Sequence, residues 1–349
     1  MTTIAVTGAS GLVGRRLMRV LADDPTVTRL IGLDVREPTR RPQRFEFHLA
    51  DVARSELKPL LEGVEVLVHL ASVVDPIPDE ALMARVNVEG TRRVLDAAAA
   101  VGVTKVVRVS SAAVYGAWAN NPVPLTEDAP LRPNAHFSPA VQAAEAERLL
   151  IEWRDDHPGT TVTILRTAPV LGPGAERLPS RLLLGRPHLQ VRGATPAIQA
   201  THVDDLVSAL TLVTMHDHPG TYNVASDNWL EHHQASALLP SARVPAVPAE
   251  LLERVLARTW SAGIGAIPPG VVPYLVHPWV ISSEKLKAKG WRPSHTTQEA
   301  INDGLASLPK PPTRERAIAF AAGITAGIAL TYLATRGSKR RRKRQRRTL

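Results

Sequence analysis

The chain has 349 residues, 44% of them apolar, which suffices for one large domain or a large domain with a smaller lobe. It has no cysteine, so disulfides, thiolate catalysis and cysteine-based metal sites are excluded. The formal charge of +9 resides in residues 336–349, RGSKRRRKRQRRTL, where seven Arg and two Lys meet no acid, so the body before them is neutral overall.

MTTIAVTG runs straight into an apolar strand pattern with no basic or apolar leader, so no signal peptide is expected. TIAVTG reads as a buried strand, GASGLVG as a glycine turn and RRLMRVLADD as a helix. TRLIGLD then forms a second strand ending at Asp34. The turn holds Gly8, Ser10, Gly11, Leu12, Val13 and Gly14. Backbone bare of side chains can approach a pyrophosphate, and free amides at a helix start attract its charge. Asp34, twenty residues past Gly14, suits both hydroxyls of an adenine ribose and repels a 2′-phosphate. NAD is therefore expected over NADP, although Arg36 stands close to that carboxylate.

Further units follow in order. EVLVHLAS (65–72) is a strand, and ALMARVNVEGTRRVLDAAAAVG (81–102) is a helix stopped by Gly102. TKVVRVSS (104–111) is a strand, and HFSPAVQAAEAERLL (136–150) is a helix start with Ser138 as cap and Pro139 at the first position. TTVTILRTAPVLGPG (160–174) is a strand running into a Pro/Gly loop. The alternation predicts an α/β fold: a Rossmann-type doubly wound parallel sheet over 1–168, interleaved with a small substrate lobe over 169–309. In the lobe, AELLERVLARTWSAG (249–263) and the apolar PPGVVPYLVHPWV (268–280) are suited to wrap an apolar or sugar-linked ligand. No His/Glu group shows metal spacing, since His232 and His233 are adjacent on a helix, and no metal is expected.

The chain resembles the extended short-chain dehydrogenase/reductases, the NAD-dependent epimerase/dehydratase type. The resemblance is carried by TGASGLVG (7–14), Asp34, Asp51-Val52, HLAS (69–72), NVEGTRRVLDAA (87–98), VSSAAVYG (109–116), LRTAPVLGPG (165–174), THVDDLVSAL (201–210) and GTYNVAS (220–226). SEKLKAKGWRPSHTTQEAI (283–301) is similar to the family's closing segment. The resemblance implies that Asp51 and Val52 flank the adenine, and that Leu70 and Ala71 pass the cofactor backbone. It also implies that Ser111 holds the reacting oxygen of a small-molecule substrate, and that the loop after Arg166 lies against the nicotinamide.

The family's acid/base is a Tyr with a Lys four residues later, one helical turn on, where the ammonium draws down a phenol pKa of about 10. Aligned on AEAERLL, those positions fall on Pro139 and Ala143, or two residues earlier on Phe137 and Val141. The residues four past Tyr115, Tyr222, Tyr274 and Tyr332 are Ala119, Ser226, Pro278 and Arg336, and no Lys occurs between Lys105 and Lys285. Three readings stay open: an NAD-binding sensor or scaffold without redox chemistry; an oxidoreductase or epimerase with an acid/base displaced to His136, Tyr115 or His202; and a vestigial cradle whose tail alone matters.

After a linker (310–316), AIAFAAGITAGIALTYLAT (317–335) is 19 uncharged residues, about 28 Å as a helix and close to a bilayer's hydrocarbon thickness. Gly323 and Gly327 form a small-residue pair for close helix approach, and Tyr332 suits an interface. With the basic tail (336–349) this predicts attachment to an anionic membrane surface, the folded domain remaining cytoplasmic. The alternative is an Ala-rich oligomerisation helix with a nucleic-acid-binding tail. The dinucleotide, the membrane and a second copy in a homodimer are the expected partners, ahead of nucleic acid.

Overall fold

A computed structural model describes residues 2–39, 45–184, 190–239, 246–265 and 267–308. The linker, the apolar stretch 317–335 and the basic tail lie outside the described residues. Among the described residues no helix is long and apolar enough to cross a membrane.

The first half is β1 (Thr2–Thr7), α1 (Leu12–Ala22), β2 (Val27–Asp34), β3 (Phe45–Leu49), β4 (Val66–His69), α2 (Glu80–Ala84), α3 (Gly90–Val101), β5 (Lys105–Ser111), α4 (Ser138–Asp156) and β6 (Thr161–Thr167). A π-turn, Arg85–Glu89, joins α2 to α3. The chain continues through β7 (Val170–Leu171), α5 (Leu178–Leu184), β8 (Thr201–His202), α6 (Val203–Met215), β9 (Gly220–Val224), α7 (His232–Leu238), α8 (Ala249–Ser261), α9 (Val272–Val276), α10 (Glu284–Lys287) and α11 (Thr297–Ser307).

Seven strands pair in the order β3-β2-β1-β4-β5-β6-β9, every pairing parallel. Alternate residues of β1 serve opposite faces, as a period of two requires. Ile4 and Val6 join Leu17 and Leu21 of α1 and Leu206 and Leu210 of α6. Ala5 joins Ile31, Leu67, Val94, Leu95 and Leu150 on the other face. β1 lies between β2 and β4, so the strand order reverses there and opens a crevice at their carboxyl ends.

The predicted punctuation is largely met. α3 ends at Gly102, which takes the left-handed conformation (φ 75°). Ser138 differs from expectation: it is the first residue of α4, while Phe137 stands at the cap with no side-chain cap bond. Phe137 is fixed instead by packing, its ring 5.0 Å from that of Tyr274. β7 and β8 pair in a small sheet of their own, and β9 returns to the large one.

Candidate functional site

The crevice is built from main chain set against main chain. Gly8 has φ +72°, and a Cβ there would lie 2.8 Å from the nitrogen of Ala71 and from the carbonyl carbon of Leu70. A Cβ on Gly14 would lie 2.2 Å from the Gly8 oxygen. Gly11 caps α1 with no side-chain bond, so the first amides of that helix face the crevice without an internal side-chain partner. Leu12 and Val13 open the helix on this rim and are half-buried.

Asp34 closes the other side and is only 8% exposed. Its carboxylate accepts the Ser10 amide at 2.9 Å and the Arg36 amide at 3.0 Å. The Ser10 hydroxyl donates to the Arg36 carbonyl at 2.6 Å. Glycine loop and acid are thus tied into one unit. Beyond them, Asp51 accepts the Ala53 amide at 2.9 Å, and the buried Val52 packs where a Cβ on Gly90 would come within 2.9 Å of it. Leu70 and Ala71, half-buried, follow β4, and the Ala71 amide donates to the Thr7 hydroxyl at 3.2 Å. That hydroxyl also pairs with His69 at 2.7 Å. Burial holds the His69 imidazole well below its ordinary pKa, and the nearby Arg108 guanidinium acts the same way, so it stays neutral.

A strap formed by residues 172–178 crosses the mouth. The Pro173 carbonyl accepts from Arg16 at 2.8 Å, and Arg16 also pairs with Asp204. At the far end Asp75 accepts the Leu178 amide at 2.7 Å and faces Arg177 and Arg181 at 3.5 and 3.3 Å.

Ser111 ends β5, and its hydroxyl oxygen accepts the Ala113 amide at 3.1 Å. On α4, Pro139 and Ala143 occupy the two positions singled out in the sequence, and that helix bears neither Tyr nor Lys. The space beside its first turn is filled from the C-terminal lobe. The Tyr274 hydroxyl donates to the Ala113 carbonyl at 2.8 Å, and its ring meets Phe137 at 5.0 Å and Trp279 at 5.1 Å. A Cβ on Gly270 would sit 1.9 Å from the His136 oxygen, so the two backbones touch. The segment read as wrapping a ligand therefore seals against the start of α4. Burial raises the Tyr274 phenol far above its usual range, which fits packing rather than proton exchange.

The structure separates the other candidates. His136 keeps its side chain exposed. Tyr115 is 1% exposed, donates to Asn223 at 2.8 Å and receives Arg166 at 2.8 Å. Burial pushes its phenol up to about 12. Arg166 points into the protein interior, its guanidinium bonded to Glu147 at 2.7 and 2.9 Å; only the loop beyond it reaches the crevice. AEAERLL reads as an ordinary helix face, so the sequence gives no sign of Glu147 as a buried anion.

His202 caps α6 by accepting the Asp204 amide at 3.2 Å and stacks on His295 at 3.8 Å, with Asp303 at 3.5 Å. Their donor atoms converge as spacing alone could not show. His202 Nε2 is buried and has no hydrogen-bond partner among the described residues, and the group joins the end of β8 to α11 and the segment before it.

The model of the NAD dependent epimerase/dehydratase family matches residues 4–225. The chain is 31% identical over 264 residues to a dTDP-glucose 4,6-dehydratase of Streptomyces griseus, covering 69% of this chain and 79% of that one. It is 31% identical over 279 residues to a 3-diazoavenalumate denitrifying reductase of a Streptomyces species, covering 72% and 86%. Among solved structures, MoeE5 with UDP-glucuronic acid and NAD superposes with a TM-score of 0.70 at 21% identity, over 87% of this chain and 98% of that one. The UDP-glucose 4-epimerase of Thermus thermophilus with NAD gives 0.68 at 23% identity, over 88% and 98%.

Proposed function

Because the chain belongs to the NAD dependent epimerase/dehydratase family, we propose that it holds NAD between the glycine loop and Asp34 without the family's phenol–ammonium pair. The observation that carries this is the cradle, in which side chains at Gly8 and Gly14 would collide with main chain. The pyrophosphate would lie on Gly11, Leu12 and Val13, and the adenine ribose on Asp34. Val52 would border the adenine, with Leu70 and Ala71 beside the cofactor backbone. NAD when bound accepts or returns a hydride. The chain's own residues orient it and, through the strap, shield it from water. At the reacting end Ser111 offers a hydroxyl, while Phe137, Tyr274 and Trp279 form an apolar wall beside Pro139 and Ala143. That wall favours a binding or sensing role.

Calorimetric titration of the full chain with NAD is expected to give saturable heat, with Asp34→Asn weakening binding about tenfold through the lost charge-assisted bonds. No heat with either NAD or NADH on folded protein overturns the reading. The second reading, a displaced acid/base, is favoured by the retained Ser111. Reduction of bound NAD by a supplied sugar nucleotide, lost in Ser111→Ala or His136→Ala, would establish it over the sensor.

The uncharged stretch 317–335 and the nine cationic residues after it support a tether at an anionic membrane. Flotation with anionic vesicles is expected for the full chain and lost on deleting 317–349. Flotation that persists without those residues contradicts the tether.

A further inference from the structure

The C-terminal lobe contains a cavity of about 560 Å³ that the coenzyme reading does not use. Its size falls in the usual range for small-molecule sites. One wall is the turn at residues 191–197, held by the Arg192 amide on the Val247 carbonyl at 2.9 Å and by Gly193 at φ +76°. Another is Val276–Pro278, and Ala249 and Val123 complete the lining. Val191, Ala194, Ala249 and Val276 continue into an apolar cluster with Leu252, Leu256, Val271 and Val272. About half of the surface offered to a ligand is therefore the exposed edge of an apolar core, and the rest is polar.

Three ionisable side chains border it: Arg192, Glu231 and His277. Glu231 is already committed. Its carboxylate caps α7 and accepts Trp229 Nε1 at 3.2 Å. The side chains of Arg192 and His277 have no partner among the described residues. A pocket whose lining is half apolar and half polar, with one guanidinium and one imidazole unspent, matches a ligand with an apolar body and a single anionic group. A nucleotide diphosphate sugar, with two phosphates and many hydroxyls, would find too few partners there.

We propose that this cavity binds a small amphipathic anion, its apolar body against Val191, Ala194 and Val276 and its charge on Arg192 and His277. Residues 276–278 line the cavity, while Tyr274 and Trp279 on either side of them pack toward Ala113 and Ala117. The Pro278 carbonyl also accepts Asn121 at 2.9 Å. This inference goes beyond the coenzyme reading and stands or falls apart from it.

The test is calorimetry on the full chain with dodecanoate below its micelle concentration, compared with dodecanol and with UDP. Dodecanoate is expected to bind saturably, dodecanol to bind at least about tenfold more weakly, and UDP not to compete. Arg192→Gln is expected to weaken dodecanoate about tenfold, and Ala194→Trp, which fills the cavity, to abolish its binding. NAD titrations should be unchanged in both variants, which separates failure here from failure of the coenzyme site. Should Ala194→Trp alter thermal melting, Arg192→Gln on the exposed rim decides alone. The apolar stretch 317–335 can itself take up dodecanoate, so binding that keeps its full affinity in Arg192→Gln overturns the proposal. Competition by UDP, or no saturable heat, overturns it as well.

Discussion

Replacing Glu147 with alanine is expected to cost about 3–5 kcal/mol of folding stability, the scale for breaking a buried ion pair from one side. Glu147 is 0% exposed and Arg166 5%. Arg166 Nε and Nη2 donate to one carboxylate oxygen, and the Ser110 hydroxyl donates to the other. A second guanidinium, Arg108, is 3% exposed; burial depresses it to about 10 while the Glu147 charge works in the opposite direction. Its Nε already lacks a hydrogen-bond partner. Without Glu147, two cations remain buried with no anion between them. Against a total stability of about 5–15 kcal/mol the loss is large. Urea unfolding of Glu147→Ala and Glu147→Gln measures it. Glutamine fills the same space and is expected to lose less than alanine. A loss under about 1 kcal/mol for alanine contradicts the account.

The second large effect is on ligand binding rather than folding. Gly14→Ala is expected to reduce NAD affinity at least about a hundredfold. The new methyl meets the Gly8 carbonyl at 2.2 Å, and that atom is main chain, so the loop itself must move. Forcing an atom into a packed site costs about 1–3 kcal/mol, and displaced amides would no longer meet the pyrophosphate. Gly102→Ala is the control. Gly102, unlike Gly14, has positive φ, and a Cβ there has nothing within 4 Å. It should cost about 1 kcal/mol of stability and leave NAD binding intact. Equal NAD affinity in Gly14→Ala and the unsubstituted chain would refute the cradle geometry.

These two predictions show what the sequence made readable. The glycine spacing and Asp34 are local: strand, turn, helix and strand lie within one short stretch, and the structure brings Gly8, Gly14 and Asp34 together as read. Alternation alone predicted a parallel sheet covered on both faces; the order of its strands came from the structure. Long-range partnerships were not legible. Nothing in AEAERLL marks Glu147 as the anion for an arginine on β6, because that pairing depends on how α4 lies across the sheet. Tyr274 lay inside an apolar segment suited to wrapping a ligand, and only the fold shows it closing on Ala113 instead. His202 is far in sequence from His295 and Asp303 and meets them only once α11 packs beside β8. The tail, legible by composition, lies outside the described residues.

The edge position of β9 bears on how the chain is made. Residues 220–224 supply the last strand of the large sheet and α6 covers α1, so a product ending near residue 168 has β6 unprotected and one apolar face bare. The first half therefore depends on the second for its edge strand β9 and for the cover of α6. A nascent chain emerging from the ribosome must hold an incomplete sheet until both later elements have been synthesised, and that interval is when chaperones would be most needed.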